Sequence, residues 1–159
     1  MNYRYDVRTR DQFIEDIRVC TSKEKEIAML FKQFYERRYG EELVITNNGC
    51  DNSGTYLDDK NVSTASDFVM NGRLMEIKFS NKFIPIFRFK IDQIRSYIKQ
   101  RSYLLMVNGF DTGDPKFKIF SPKELLHIRN LKKPVEFSAW GNKLVYELHI
   151  KDYNWHSFK

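Results

Sequence analysis

Residues 67–78 read "DFVMNGRLMEIK", from Asp67 to Lys78. Two apolar runs flank Asn71-Gly72, the strongest short signal for a two-residue hairpin, because a type I′ turn needs positive φ at both central positions. That turn fixes the register. Met70 pairs with Arg73, Val69 with Leu74, Phe68 with Met75, and Asp67 falls opposite Glu76. Side chains alternate across a strand, so Phe68, Met70, Met75, Ile77 and Phe79 share one face of the sheet. Asp67, Val69, Leu74, Glu76 and Lys78 share the other. The first face is core; the second ends in charge.

Directly opposed carboxylates have Cβ atoms roughly 4.5–5.5 Å apart and repel, so a sheet gains nothing from this pair by itself. A divalent cation reverses the sign. Mg²⁺ takes hard oxygen ligands and is commonly held by one or two carboxylates with water and substrate phosphate. Lys78 lies on the same face, where it can stabilise charge at an attacking water or at the phosphate. The competing reading is a solvated polar edge on which Lys78 screens the two acids.

The 159 residues are one ordinary domain's worth of chain, and no linker divides them, so a single domain over residues 1–159 is expected. Lys and Arg number 27 against 21 Asp and Glu, a net +6 that suits a polyanionic partner but also describes many proteins. Aromatic residues make up 15%, more than a disordered tail carries. No apolar run approaches the roughly 18 residues of a membrane span, and "MNYRYDVRTR" has no apolar signal core. A cytoplasmic protein without a membrane partner is expected. Cys20 and Cys50 lack CxxC spacing, and His127, His149 and His156 lie far from them, so they read as reduced thiols and not as a zinc site. Gly-rich phosphate loops, a GxSxG elbow and internal repeats are absent. Chemistry is left to carboxylates, lysine and amides.

A short amphipathic helix is expected near Asp11 to Val19, within an N-terminal helical extension over residues 1–20. A firmer helix should run from about Ser22 to Tyr39. In "TSKE" Thr21 can cap it with Glu24 reaching back as a capping box, Ile27, Phe31 and Phe34 continue the stripe, and Gly40 stops it. "ELVITN" reads as a strand, and the polar segment from Asn47 to Ser66 as a long functional loop. "FKIDQIRSYIKQ" has helical spacing, "SYLLMVNGF" suits a buried strand, and "KFKIF" follows as another. "SPKELLHI" opens a helix with Ser121 as cap, and "KLVYELHI" alternates as a late strand.

Asp67 followed by Glu76-Ile77-Lys78 resembles the D…(D/E)xK core of the PD-(D/E)XK nuclease superfamily. Its surroundings extend the likeness. Archaeal Holliday junction resolvases of this superfamily carry a glutamate at the start of the first helix with apolar residues three, four and seven positions on, a pattern similar to Glu24 with Ile27, Ala28 and Phe31. They carry a glutamine in the helix after the ExK strand, where Gln93 stands. "YLLMVNGF…PKFKIFSPKEL" is similar in order to their closing strand, strand and helix, so the resemblance covers roughly Thr21 to Leu126. Ser66 stands in place of the motif's proline, and the tight hairpin is closer to small type II restriction enzymes. Residues 132–159 lie outside the resolvase pattern, a C-terminal elaboration that suggests an added strand with aromatic packing, as in restriction or homing enzymes.

The resemblance implies a restriction-endonuclease-like α/β fold with a central mixed sheet flanked by helices. It implies a metal-dependent endonuclease for duplex DNA, of restriction or homing type, with a Holliday junction resolvase and a non-catalytic DNA-binding protein as alternatives. Catalytic residues would be Asp67, Glu76, Lys78, Glu24 and Gln93. Mg²⁺, with Mn²⁺ as substitute, would be held by Asp67, Glu76, the carbonyl of Ile77 and Glu24, with Glu26 as fallback for Glu24. Glu24 as a helix cap and Gln93 as a solvated helix residue are the structural alternatives. Asn48, Asn52, Ser53 and Lys60 in the polar loop can reach base edges, and Lys82, Arg88, Lys90, Arg95 and Arg101 can track phosphates or simply form a solvated face. Cutting both strands of duplex or branched DNA needs two sites, so a homodimer or higher symmetric assembly is expected.

Overall fold

The computed structural model describes residues 9–48 and 66–159. It opens on one uninterrupted helix, α1, Arg10–Tyr39, which contains neither Gly nor Pro. Thr9 caps it, accepting from the Gln12 amide at 3.2 Å while Gln12 Oε1 accepts from the Thr9 amide at 2.9 Å. Gly40, at φ 67°, ends it in the left-handed region. This corrects the expectation of two helices with Thr21 as the second cap. The capping box belongs to Thr9 and Gln12, and nothing in the residues between breaks the ladder that it starts.

The elements that follow are β1 (Ile45–Asn47), β2 (Phe68–Met70), β3 (Arg73–Ser80), β4 (Ile86–Lys90), α2 (Ile91–Gln100), β5 (Tyr103–Asn108), β6 (Lys116–Phe120), α3 (Pro122–Leu131), β7 (Val135–Phe137), β8 (Lys143–His149) and β9 (His156–Ser157). A six-stranded sheet has the order β1-β2-β3-β5-β6-β9, and β4-β8-β7 form a second sheet. Within the larger sheet β3 and β5 are parallel and the other neighbours antiparallel. The parallel pair needs a crossover, which β4 and α2 supply. The fold is therefore α/β, a central mixed sheet flanked by helices, as expected.

The hairpin has the register read from the sequence: Phe68 opposite Met75, Val69 opposite Leu74, Met70 opposite Arg73. Asn71 and Gly72 have φ of 47° and 77°, as a type I′ turn requires. Asn71 also ties the turn to the preceding chain. Its Oδ1 accepts from the Val44 amide at 2.8 Å and its Nδ2 donates to the Glu42 carbonyl at 3.2 Å.

The sheet separates two cores. On one side Ile27, Ala28 and Phe31 of α1 pack against Phe68, Met70, Met75, Ile77, Leu105, Val107 and Phe117. On the other, Phe87, Phe89, Ile94, Tyr97, Leu104, Met106, Phe120 and Leu148 join α2, α3 and the small sheet. Successive residues of β5 feed opposite cores, which is why "LLMV" is apolar throughout.

Strand β4 is not among the expected elements. Its alternation of Phe87 and Phe89 with Arg88 and Lys90 runs straight into α2, with no turn residue to mark the boundary. The C-terminal elaboration holds three strands in place of the one expected. Two complete the small sheet, and the last, β9, borders β6. Aromatic packing is present there, with Trp155 stacked on Phe87 at 6.0 Å between ring centres and its Nε1 donating to the Ile150 carbonyl at 2.9 Å. Among the described residues no helix is long and apolar enough to cross a membrane.

Candidate functional site

Glu24, Ile27, Ala28 and Phe31 occupy one helical stripe, so the contacts that bury the three apolar residues also turn Glu24 toward the sheet. Lys23 fixes this end of the helix. Its ammonium donates to Asn81 Oδ1 at 2.9 Å and to Asp111 Oδ2 at 3.2 Å, which moors α1 beside the C-terminal end of β3. Glu26, the fallback, is exposed. With α1 starting at Thr9, Glu24 lies well inside the helix, and capping no longer accounts for it.

Asp67 immediately precedes β2. The ladder with β3 ends at Phe68 and Met75, one step short of Asp67 and Glu76. Asp67 is held through its neighbours instead. Its carbonyl accepts from the Asn48 amide at 3.2 Å, and Asn48 Nδ2 donates to the Ser66 carbonyl at 3.0 Å. Ser66 is fully buried, with its amide donating to Gln100 Oε1 at 3.0 Å and its hydroxyl bonded to Ser102. A proline there would have no amide to give, so this chain anchors the start of β2 by hydrogen bonds.

Glu76 is only 7% exposed, on the face of β3 opposite Ile77. Its Oε1 lies 3.0 Å from the Lys78 ammonium and accepts from the Tyr97 hydroxyl of α2 at 3.4 Å. Tyr97 is the residue that the sequence did not signal. The spacing of "IDQIRSYIKQ" marks it as a buried helix position, but that its hydroxyl points back at a carboxylate follows only from how α2 packs. Gln93 is half-buried one turn earlier on the same helix, and no hydrogen bond joins it to Glu76 or Lys78 among the described residues. The Ile77 side chain is fully buried, which leaves its carbonyl as the only group it can offer a cation.

Burial and the charges of Asp67 and Glu76 push the Glu24 carboxyl up to about 8, against the pull of Lys78. Burial and Glu76 push Asp67 up to about 6, again with Lys78 opposing. Burial by itself would lower Lys78, but Tyr97, Glu76 and Glu24 outweigh it and hold the ammonium above the usual lysine range. Burial keeps the Tyr97 phenol protonated well beyond the ordinary tyrosine range. One lysine thus faces three acids, and the Glu24 carboxyl is the one pushed above neutrality.

Such a donor set is one a hard divalent cation could use: all oxygen, excess negative charge, and a Glu24 carboxyl that keeps its proton at neutral pH. Among the described residues no three His, Cys, Asp or Glu side chains close into a ready-made cage.

The other expected contacts scatter. Asn52, Ser53 and Lys60 lie outside the described residues, as does Cys50. Asn48 is used in holding the Asp67 segment. Lys82 is exposed, and its carbonyl accepts from the Ser80 hydroxyl at 2.7 Å. Arg88 belongs to the small sheet, where it pairs with Glu147 at 3.0 Å and lies over the Phe137 ring at 4.3 Å. Lys90 lies over the Trp140 ring, and Arg95 pairs with Asp92 at 3.9 Å. Arg101 closes α2 in the left-handed region at φ 56°.

A cavity of about 590 Å³ opens at the other end of the sheet, between the C-terminal half of α1 and the hairpin turn, and none of Glu24, Asp67, Glu76, Lys78 or Tyr97 lines it. No protein-family model, curated protein or solved structure matches the chain.

Proposed function

We propose that this protein is a metal-dependent endonuclease of the PD-(D/E)XK type, hydrolysing phosphodiester bonds in duplex DNA in the manner of restriction or homing enzymes. The observation that carries the reading is Glu24. It arrives from a helix more than forty residues upstream to face Asp67, Glu76 and Lys78, and its carboxyl is raised first by burial and then by the charges of Asp67 and Glu76, against the pull of Lys78. A solvated polar edge has no use for a third acid, half-buried and turned toward the other two.

Asp67, Glu76 and the Ile77 carbonyl, with Glu24, would hold Mg²⁺ or Mn²⁺. When bound, the cation supplies neutralisation of charge developing on phosphate and a lowered pKa for attacking water. The chain's own residues do the rest. Lys78 keeps its ammonium charged across the neutral range and stabilises the phosphoryl oxygens as charge builds on them. Tyr97 holds one oxygen of Glu76 by a hydrogen bond and keeps that carboxylate in place. Glu24 would release its proton as positive charge arrives, and Asp67, already largely ionised at neutral pH, would gain a partner for its charge. Two such centres, in a homodimer or higher symmetric assembly, would cut both strands.

A junction resolvase is the second reading, favoured by the same Glu24, since the first-helix glutamate is part of that pattern. Linear duplex and a four-way junction, each incubated with the protein and Mg²⁺, distinguish the two. Cutting of the duplex that stops in EDTA is expected. Cutting of the junction alone would move the assignment to a resolvase, and no cutting of either with Mg²⁺ or Mn²⁺ would leave a non-catalytic DNA-binding protein.

A further inference from the structure

The cavity of about 590 Å³ lies within the range of roughly 300–1,000 Å³ found for small-molecule sites. Aromatic rings form one wall of it. Phe34, Tyr35 and Tyr39 come from the last turns of α1, and Tyr103 from β5. Tyr35 and Tyr39 stand with ring centres 4.8 Å apart, and Phe34 meets Phe117 edge-on at 4.9 Å, so the rings form a supported wall. The two guanidinium groups on the lining are those of Arg38 and Arg73, and no Asp or Glu lines the cavity. Arg73 lies over the Tyr103 ring at 5.5 Å and donates to its hydroxyl at 3.4 Å, which aims the guanidinium along the aromatic surface.

Each feature has a plainer account, and the accounts do not cover the whole. Arg38 complements the carbonyl end of α1. Arg73, across the cavity on β3, has no helix end to serve, and among the described residues no carboxylate pairs with either arginine. Aromatic residues on a helix usually fill a core, yet here they face open volume and Tyr39 is 60% exposed.

We propose that this cavity is a second binding site, for a nucleotide bearing a terminal phosphate. The base lies against the aromatic wall, and the phosphate is taken by Arg38 and Arg73, whose planar forks match phosphate oxygens. The ligand's source is either a free mononucleotide or the phosphorylated end of a nucleic-acid strand. The site is independent of the cleavage reading, since it shares no residue with that cluster.

Equilibrium dialysis of the full chain in EDTA, with labelled AMP, adenosine and a 5′-phosphorylated trinucleotide as probes, tests this. Saturable AMP binding is expected, at least tenfold weaker for adenosine and for the Arg38→Ala/Arg73→Ala variant, and unchanged for Lys78→Ala. Tyr39→Ala, at an exposed position that leaves the core intact, should weaken it severalfold. The trinucleotide binding tighter than AMP assigns the site to strand ends, and the reverse order assigns it to free nucleotide. Adenosine binding as well as AMP, an arginine variant that binds like wild type, or no saturation by either phosphorylated probe would overturn the proposal. So would loss of AMP binding in Lys78→Ala with the arginine variant unaffected, because the anion would then sit at the other cluster.

Discussion

Arg88 with Glu147 on the small sheet, and Lys78 with Glu24, Asp67 and Glu76 on the large one, are built from the same chemical groups to different totals. On the small sheet one guanidinium meets one carboxylate, cross-strand and half-exposed, with an aromatic ring beneath. The charges balance and nothing further is needed. On the large sheet a single ammonium, already 3.0 Å from Glu76, must also serve two acids whose carboxyls have risen to about 8 and about 6. Balance marks a pair that holds structure. Imbalance is what the proposed cation would relieve.

The sharpest way to break this contrast is to remove the cation from each cluster. Lys78→Ala should reduce Mg²⁺-dependent DNA cleavage by a thousandfold or more, on the order of 4 kcal/mol of transition-state stabilisation, while binding to duplex persists. Arg88→Ala should change the cleavage rate by less than about threefold. Gel assays of both variants decide it. Wild-type turnover by Lys78→Ala would remove the catalytic assignment.

Asp67→Asn comes next in size. Removing one of the repelling acids should raise the melting temperature in EDTA by several degrees and abolish most of the stabilisation that Mg²⁺ gives the wild type by mass action. A melt that is lower in EDTA yet still rises fully with Mg²⁺ would mean that Asp67 holds structure and not a cation.

The third effect is a pH slope. Glu24 keeps its proton to about pH 8 in the folded chain, whereas the unfolded chain releases it near 4.5. Its contribution to stability is therefore complete below pH 4.5 and is lost as pH rises through about 8. Asp67 acts in the same direction between 3.8 and about 6. Between pH 6 and 8 Glu24 dominates the two, so Glu24→Gln should flatten the fall in stability across that window, measured by urea unfolding in EDTA. An unchanged slope would place Glu24 outside the cluster. Smaller again is Ser66→Ala, expected to cost about 1–2 kcal/mol by leaving the Ser102 hydroxyl short of a partner, with cleavage impaired only through looser placement of Asp67.

The hairpin is legible in the sequence because Asn71-Gly72 dictates both turn and register, and register decides which face each carboxylate takes. Strands β5 and β6 and the cap of α3 are legible for similarly local reasons. The place of Glu24 on the apolar stripe of Ile27, Ala28 and Phe31 is legible in the spacing, whereas its meeting with Asp67 and Glu76 is suggested only by the resemblance. Tyr97, Ser66 and Ser102 are illegible because their roles come from partners distant in sequence, brought within reach by packing. The long helix is misread for an instructive reason: "TSKE" is a sound capping box in isolation, and a helix that has already started simply runs through it.

That uninterrupted helix turns a count of residues into a ruler. From Glu24 to Tyr39, 15 positions at about 1.5 Å of rise put the acid and the aromatic wall roughly 22 Å apart along a rod without Gly or Pro to bend it. Each residue also advances the rod by about 100°, so inserting a single alanine between Glu24 and Ile27 would swing the carboxylate away from β3 while leaving the cavity wall seated. The spacing of the two ends is set by one continuous helix, and a single inserted residue is enough to change their relative phase.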